Sequence, residues 1–165
     1  MIPWDYNLAF GGFEAQMDAE DMVNYPIDSP VSAGELASRP MIAWIFANEE
    51  YMEMYHQYFQ EFIDSYFASV YFEEMIASVR EMIGPYVEKD PTRFCTYEDF
   101  ETGTDTLERF CLLRAESIVG QLNGTIPSTS EEQAKDKRSF VDASGILLSE
   151  MGSMGRGMMG KRKGG

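Results

Sequence analysis

The sequence predicts a mainly helical domain with a short strand at its N-terminus and a possible second one near residues 140–148. Three observations carry that expectation. Between residues 40 and 122, apolar side chains recur at helical spacing in successive series, most of them opened by a capping residue. Strand propensity is confined to the two ends, first at Ile2 to Trp4 and last at Phe140 to Leu148. With 44% hydrophobic and 13% aromatic residues, 165 positions suffice for one domain with a sizeable core.

At the start, Pro3 confines the Ile2–Trp4 run to a sheet edge or a strand start, so Asp5 stands where the strand stops. Asn7 can hydrogen-bond its own backbone, and Gly11 and Gly12 admit positive φ, which lets the chain fold tightly around whatever Asp5 holds. A hard cation fits that description. From Phe13 to Ser38 the pattern is irregular, with acids at Glu14, Asp18, Glu20, Asp21 and Asp28 and prolines at Pro26 and Pro30. Its length and constraint mark a functional loop. Asp28 serves there either to position substrate or metal or, more simply, to stabilise the turn before Ser29-Pro30.

Ser38 is the expected N-cap of a short helix with Pro40 in its first turn, and Met41 to Phe46 are apolar on all sides, which predicts burial. Asn48 caps the next helix, whose apolar positions Tyr51, Met54, Tyr55, Tyr58, Phe59, Phe62, Ile63 and Tyr66 give the strongest periodic signal in the chain. A second amphipathic helix uses Phe72, Met75, Ile76, Val79, Met82, Ile83 and Tyr86. Gly84-Pro85 kinks or ends it, and Lys89-Asp90-Pro91 stops it. Thr96 and Asp99 form a capping box for a helix expected to break or bend near Gly103-Thr104 and to close at Gly124. Thr125 to Ser139 reads as loop, and Met151 to Gly165 as a low-complexity tail expected to be disordered.

The net charge is -15, yet the last fifteen residues hold Arg156, Lys161, Arg162 and Lys163 and no acid, so the body is more acidic still. Such a body repels nucleic acid and anionic membranes, and it repels ATP unless a divalent metal offsets the charge. No apolar run is long enough to span a membrane, and no basic region followed by an apolar stretch marks a signal peptide. Cys95 and Cys111 support neither a disulfide framework nor a zinc site and are expected to be two buried thiols.

The string Ile2-Pro3-Trp4-Asp5-Tyr6-Asn7-Leu8-Ala9-Phe10-Gly11 resembles the magnesium-binding segment of the CotH family of atypical, spore-coat-type protein kinases. The resemblance continues through Val23 to Pro30, Arg39-Pro40, Asn48 to Tyr51, Tyr86 to Pro91, and Arg114 to Leu122, covering roughly residues 1–150. It implies the helical C-terminal lobe of a kinase-like fold, Asp5 as a magnesium ligand, and Asn7 beside it where many relatives carry a second acid. It also implies ATP and a serine-bearing coat or secreted protein as partners, with the γ-phosphate transferred in the complete domain. The metal segment falls mid-domain in the family, so Met1 is expected to be an internal methionine of a longer protein. A phosphate-gripping Lys and a catalytic Asp are not recognisable in the 165 residues, so this piece alone is expected to be inactive. The alternative is a non-enzymatic helical module for coat assembly, or a truncated gene product.

Other features favour structural roles. Glu53 and His56 share the Glu-x-x-His spacing of di-iron bundles, but His56 is the only histidine, and Glu53 points away from the apolar stripe. His56 lies at the flank of the stripe as a structural residue. Arg114 is expected to brace the lobe as a buried ion-pair partner.

Overall fold

The computed structural model describes residues 17–31 and 34–152, and among them the regular structure is helical, with no strand. The expected strand at Ile2–Trp4, together with Asp5 and Asn7, lies outside the described residues, as does the tail beyond Gly152.

Within the segment expected to be loop, Ala19–Val23 forms a short helix, α1. Asp18 makes it possible: its carboxylate accepts the Asp21 N–H at 2.9 Å, and Glu20 and Asp21 sit in the first turn where the dipole favours acids. Helix α2 (Pro40–Phe46) begins with Pro40 at its first position, but its cap is Arg39 and not Ser38. Ser38 instead ends a 3-10 turn over Leu36–Ser38, where its hydroxyl donates to the Glu35 carbonyl at 2.6 Å. The expected burial of α2 is also overturned. None of its residues is buried, and Met41 and Trp44 are largely exposed, because the helix packs on the preceding turn and on the start of the next helix.

That next helix, α3 (Glu49–Tyr66), is capped as expected by Asn48, whose side chain accepts from the Tyr51 N–H at 3.2 Å. Helix α4 (Tyr71–Lys89) runs through Gly84-Pro85 without ending and stops before Asp90. Pro85 removes one helical hydrogen bond, and the helix outlasts it by one turn.

Helix α5 (Tyr97–Leu122) opens with the expected capping box. The Asp99 N–H reaches Thr96 Oγ1 at 3.0 Å, and the Thr96 N–H reaches the Asp99 carboxylate at 2.9 Å. The expected break at Gly103 does not occur. Gly103 serves close approach instead: a Cβ there would stand 2.8 Å from the Glu150 carbonyl oxygen, in the 3-10 turn Leu148–Met151 that packs across α5. Past Leu122, Asn123 caps the helix and Gly124 takes φ 77°, turning the chain so that the Thr125 and Ile126 N–H groups return to the Gly120 carbonyl. A further turn, α6 (Ser130–Gln133), interrupts the expected loop, capped by Thr129.

The possible strand at 140–148 is not formed. With no strand beside it among the described residues, this segment attaches through buried Val141, Ala143 and Ile146. Two clusters make up the core, and α5 runs through both. Phe110 and Cys111 join Val23, Phe72, Ile126 and the 141–146 segment, while Ala115 and Ile118 join Ile27 and Ile63. Arg80 on α4 adds a bidentate contact to Glu101 on α5, at 3.0 and 2.6 Å.

Of the two thiols expected to be buried, only Cys111 is. Cys95 precedes the capping box and is exposed, whereas burial pushes the Cys111 thiol up to about 12. Ellman's reagent is therefore expected to titrate one thiol in the folded chain and two in denaturant; two rapid equivalents under native conditions would contradict this core. Gly103→Ala is expected to lower the unfolding free energy read from a urea titration by about 1–2 kcal/mol, and the midpoint with it, despite better helix propensity, because overpacking against a backbone carbonyl outweighs a gain of about 1 kcal/mol. An unchanged midpoint would mean the 148–151 turn is not seated there.

Candidate functional site

The loop after α1, Asn24 to Ser29, crosses the middle of α5 without regular structure of its own. Asn24, Pro26 and Ile27 are buried, and apart from backbone bonds such as that of the Asp28 N–H to the Ser128 carbonyl at 2.8 Å, the loop's inner polar groups find partners in side chains. Asn24 is 0% exposed and anchors it. Its side-chain carbonyl accepts from the Val141 N–H and the Ser117 hydroxyl, each at 3.0 Å, and its amide donates to the carbonyls of Glu20 at 2.9 Å and Val141 at 3.0 Å. All four hydrogen-bonding positions of that amide are thereby used.

Three α5 residues spaced for one helix face continue the clamp. Arg114 donates to the carbonyls of Val23 at 2.9 Å and Tyr25 at 2.6 Å. Ser117 receives the Gln121 amide at 3.1 Å, and Gln121 also takes the Ile27 N–H on its carbonyl at 2.9 Å and donates to Tyr25 at 3.2 Å. Gln133 of α6 closes the far side by donating to the Asn24 carbonyl at 2.7 Å. The expected ion pair of Arg114 is thus replaced by carbonyl contacts. Burial lowers its pKa to about 10, opposed by nearby Tyr55 and Tyr25, so it remains a cation at neutral pH.

From the opposite side, α3 presents two adjacent residues to the loop. The Tyr55 hydroxyl donates to the Ile27 carbonyl at 2.6 Å, and burial, reinforced by Asp28, pushes that phenol up to about 12. His56 Nε2 lies 2.7 Å from Asp28 Oδ1. The Asp28 carboxylate therefore engages a histidine 28 positions away, which spacing along one chain segment could not reveal. Chemically, a carboxylate that holds one imidazole nitrogen fixes the ring and leaves the other available for a proton. The His56 side chain is 38% exposed and the Asp28 side chain 13%, so the pair stands at the loop's solvent edge.

No group of three or more His, Cys, Asp or Glu residues suited to a metal ion occurs among the described residues. Asp5 and Asn7, the residues expected to serve magnesium, fall outside them. An open groove of about 600 Å³ between α5 and the 148–151 turn is lined by Cys95, Phe100, Gly103 and Leu107, but its carboxylates are engaged locally. Asp99 belongs to the capping box, and Glu150 accepts from Thr106 at 2.6 Å.

A family model described as CotH kinase protein matches residues 1–118. The match begins with the segment holding Asp5, spans the clamped loop, and ends on α5 just past Arg114 and Ser117. No curated protein and no solved structure gives a match.

Asn24→Ala is expected to cost about 3 kcal/mol or more, since it orphans the Val141 N–H and carbonyl and the Ser117 hydroxyl at a buried site. Chemical denaturation would measure it; a loss below 1 kcal/mol would mean the loop is held elsewhere. In an alkaline tyrosine titration, one phenol is expected near 12 and to vanish in Tyr55→Phe. The native state holds that proton more tightly than the unfolded chain does, so its share of stability is complete below pH 10 and lost as pH rises toward 12.

Proposed function

The chain belongs to the CotH kinase family, and on that premise we propose that it takes part in magnesium-dependent transfer of the ATP γ-phosphate to serine hydroxyls of spore-coat or secreted proteins. The observation that supports this reading is the family match over residues 1–118, which takes in both the Asp5 segment and the loop clamped on α5.

Asp5 would hold the magnesium ion and Asn7 would stand beside it as a neutral oxygen donor or hydrogen-bonding partner. Magnesium prefers oxygen ligands and commonly takes one or two carboxylates plus phosphate oxygens, so a single aspartate is a sufficient contribution from this segment. When bound, the ion neutralises phosphate charge, which a body this acidic needs in order to accept ATP. The rest of the chain has a supporting task. A loop fixed by Asn24, Arg114, Gln121 and Tyr55 offers a rigid shelf, and rigidity is what positioning of a reactive hydroxyl requires. Phosphoryl transfer also needs a phosphate-gripping lysine and a catalytic aspartate. The family resemblance assigns neither to any of these 165 residues.

The melting temperature of the purified chain is expected to rise with magnesium and ATP together, and not with ATP and a chelator, because a ligand bound only by the native state stabilises it. Asp5→Asn should abolish that rise without moving the unliganded melting temperature. No transfer of labelled phosphate is expected from this chain alone. Turnover that survives Asp5→Asn would sink the assignment of Asp5. A melting temperature indifferent to magnesium and ATP would favour a helical coat-assembly module without the chemistry.

A further inference from the structure

Helix α3 carries an apolar face that the described residues leave largely uncovered. Phe59 and Ile63 turn to α5, yet Met54, Tyr58, Phe62 and Tyr66 are 42%, 61%, 51% and 39% exposed. At about 100° per residue, these four span a sector of roughly 120° beside the core-facing side. Helical spacing puts the four side by side, and ring contacts join one end of the row: Phe62 meets Tyr66 at 4.9 Å, and Tyr66 meets Tyr71 of α4 at 5.8 Å. Contiguous exposed aromatic and methionine side chains of this kind mark interaction sites.

Charge says what kind of partner fits. Helix α3 holds Glu49, Glu50, Glu53, Glu61 and Asp64 and no lysine or arginine. On the same helical wheel Glu50, Glu53, Glu61 and Asp64 fill the sector of roughly 80° that borders the stripe on its solvent side. Glu61 and Asp64 take hydrogen bonds from neutral partners, Gln57 at 2.7 Å and Gln60 at 2.9 Å, which leaves their charge to the surroundings. An apolar stripe with one acidic border matches a helix with an apolar face and a basic border. It does not match a second copy, whose acidic border would repel, nor an anionic membrane.

We propose that the Met54–Tyr58–Phe62–Tyr66 face of α3 is a docking site for a basic amphipathic helix of a partner protein. The helix lays its apolar side on the aromatic stripe and its lysine or arginine side along Glu50, Glu53, Glu61 and Asp64. This is a helix-on-face mode of recognition in which the rings supply affinity and the carboxylates supply orientation. Every side chain of the site belongs to α3.

The probe is a leucine–lysine peptide of about 18 residues with leucines at helical spacing, long enough to match α3 at about 1.5 Å per residue. A shuffled peptide of identical composition is the control. Calorimetry on the full chain is expected to give micromolar affinity for the ordered peptide and at least tenfold weaker binding for the shuffled one, roughly the loss of one hot-spot contact. Tyr58→Ser with Phe62→Ser should weaken binding roughly tenfold or more with an unchanged circular dichroism spectrum, because both side chains are exposed. Glu61→Lys with Asp64→Lys should weaken it and flatten its salt dependence. Equal binding of the shuffled peptide, or undiminished binding by the serine variant, overturns the proposal. So does a dimer in sedimentation that the serine variant dissolves, which would make the occupant a second copy. A gain in peptide affinity when Lys161, Arg162 and Lys163 are all changed to glutamate would assign the face to the chain's own basic end and equally overturn it.

Discussion

The structure depends on the buried amide of Asn24. The buried part of a loop that crosses a helix cannot use water, and among the described residues no strand lies beside it, so side chains share with a few backbone bonds the work of a sheet. Asn24 suits the task because its amide presents two donors and two acceptors in one plane. It joins α1 through the Glu20 carbonyl, α5 through Ser117, and the late segment through both polar groups of Val141. Three stretches far apart in sequence thus meet at one side chain. An apolar residue of similar size could fill the space but would strand at least three polar groups.

Around that point, α5 works as the spine. Its 26 residues serve two apolar clusters, while Arg114, Ser117 and Gln121 serve the loop. The helix is continuous from Tyr97 to Leu122, and it carries Gly103 within it. Gly103 lies where the 148–151 turn crosses closely, and absence of a side chain matters more there than the helix propensity it sacrifices. The same economy of contacts explains what is left bare. Helix α3 touches α5 with Phe59 and Ile63, and its stripe from Met54 to Tyr66 stays largely exposed among the described residues, meeting Tyr71 at one end.

Rigidity of the loop and uncovered apolar surface divide the molecule into two kinds of region. The clamp gives the family segment after Asp5 a fixed support, and the His56–Asp28 pair fastens its outer edge to α3. The aromatic face of the same helix is available for association. One helix thus links the support of the loop to a candidate interface, with the acid-rich border distinguishing which partners can approach.

The sequence by itself determined the helices from α2 to α5 and most of their ends, because capping and helix termination act within a few residues. Asn48, the Thr96–Asp99 box and the stop at Asp90-Pro91 all stand where local chemistry requires. It also determined the family, since the matching strings are contiguous. Tertiary structure decided everything that needed a distant partner. Periodicity showed that Met54, Tyr58, Phe62 and Tyr66 share a side of α3, but only packing against α5 decided which apolar residues were covered. An all-apolar α2 read as buried and is exposed for the same reason, since burial belongs to the neighbour as much as to the helix. Arg114 was recognisable as a brace, while its partners proved to be carbonyls about 90 positions away, and Asn24 carried no local signal at all. Its importance comes from long-range hydrogen bonds, and those exist only once the chain has folded.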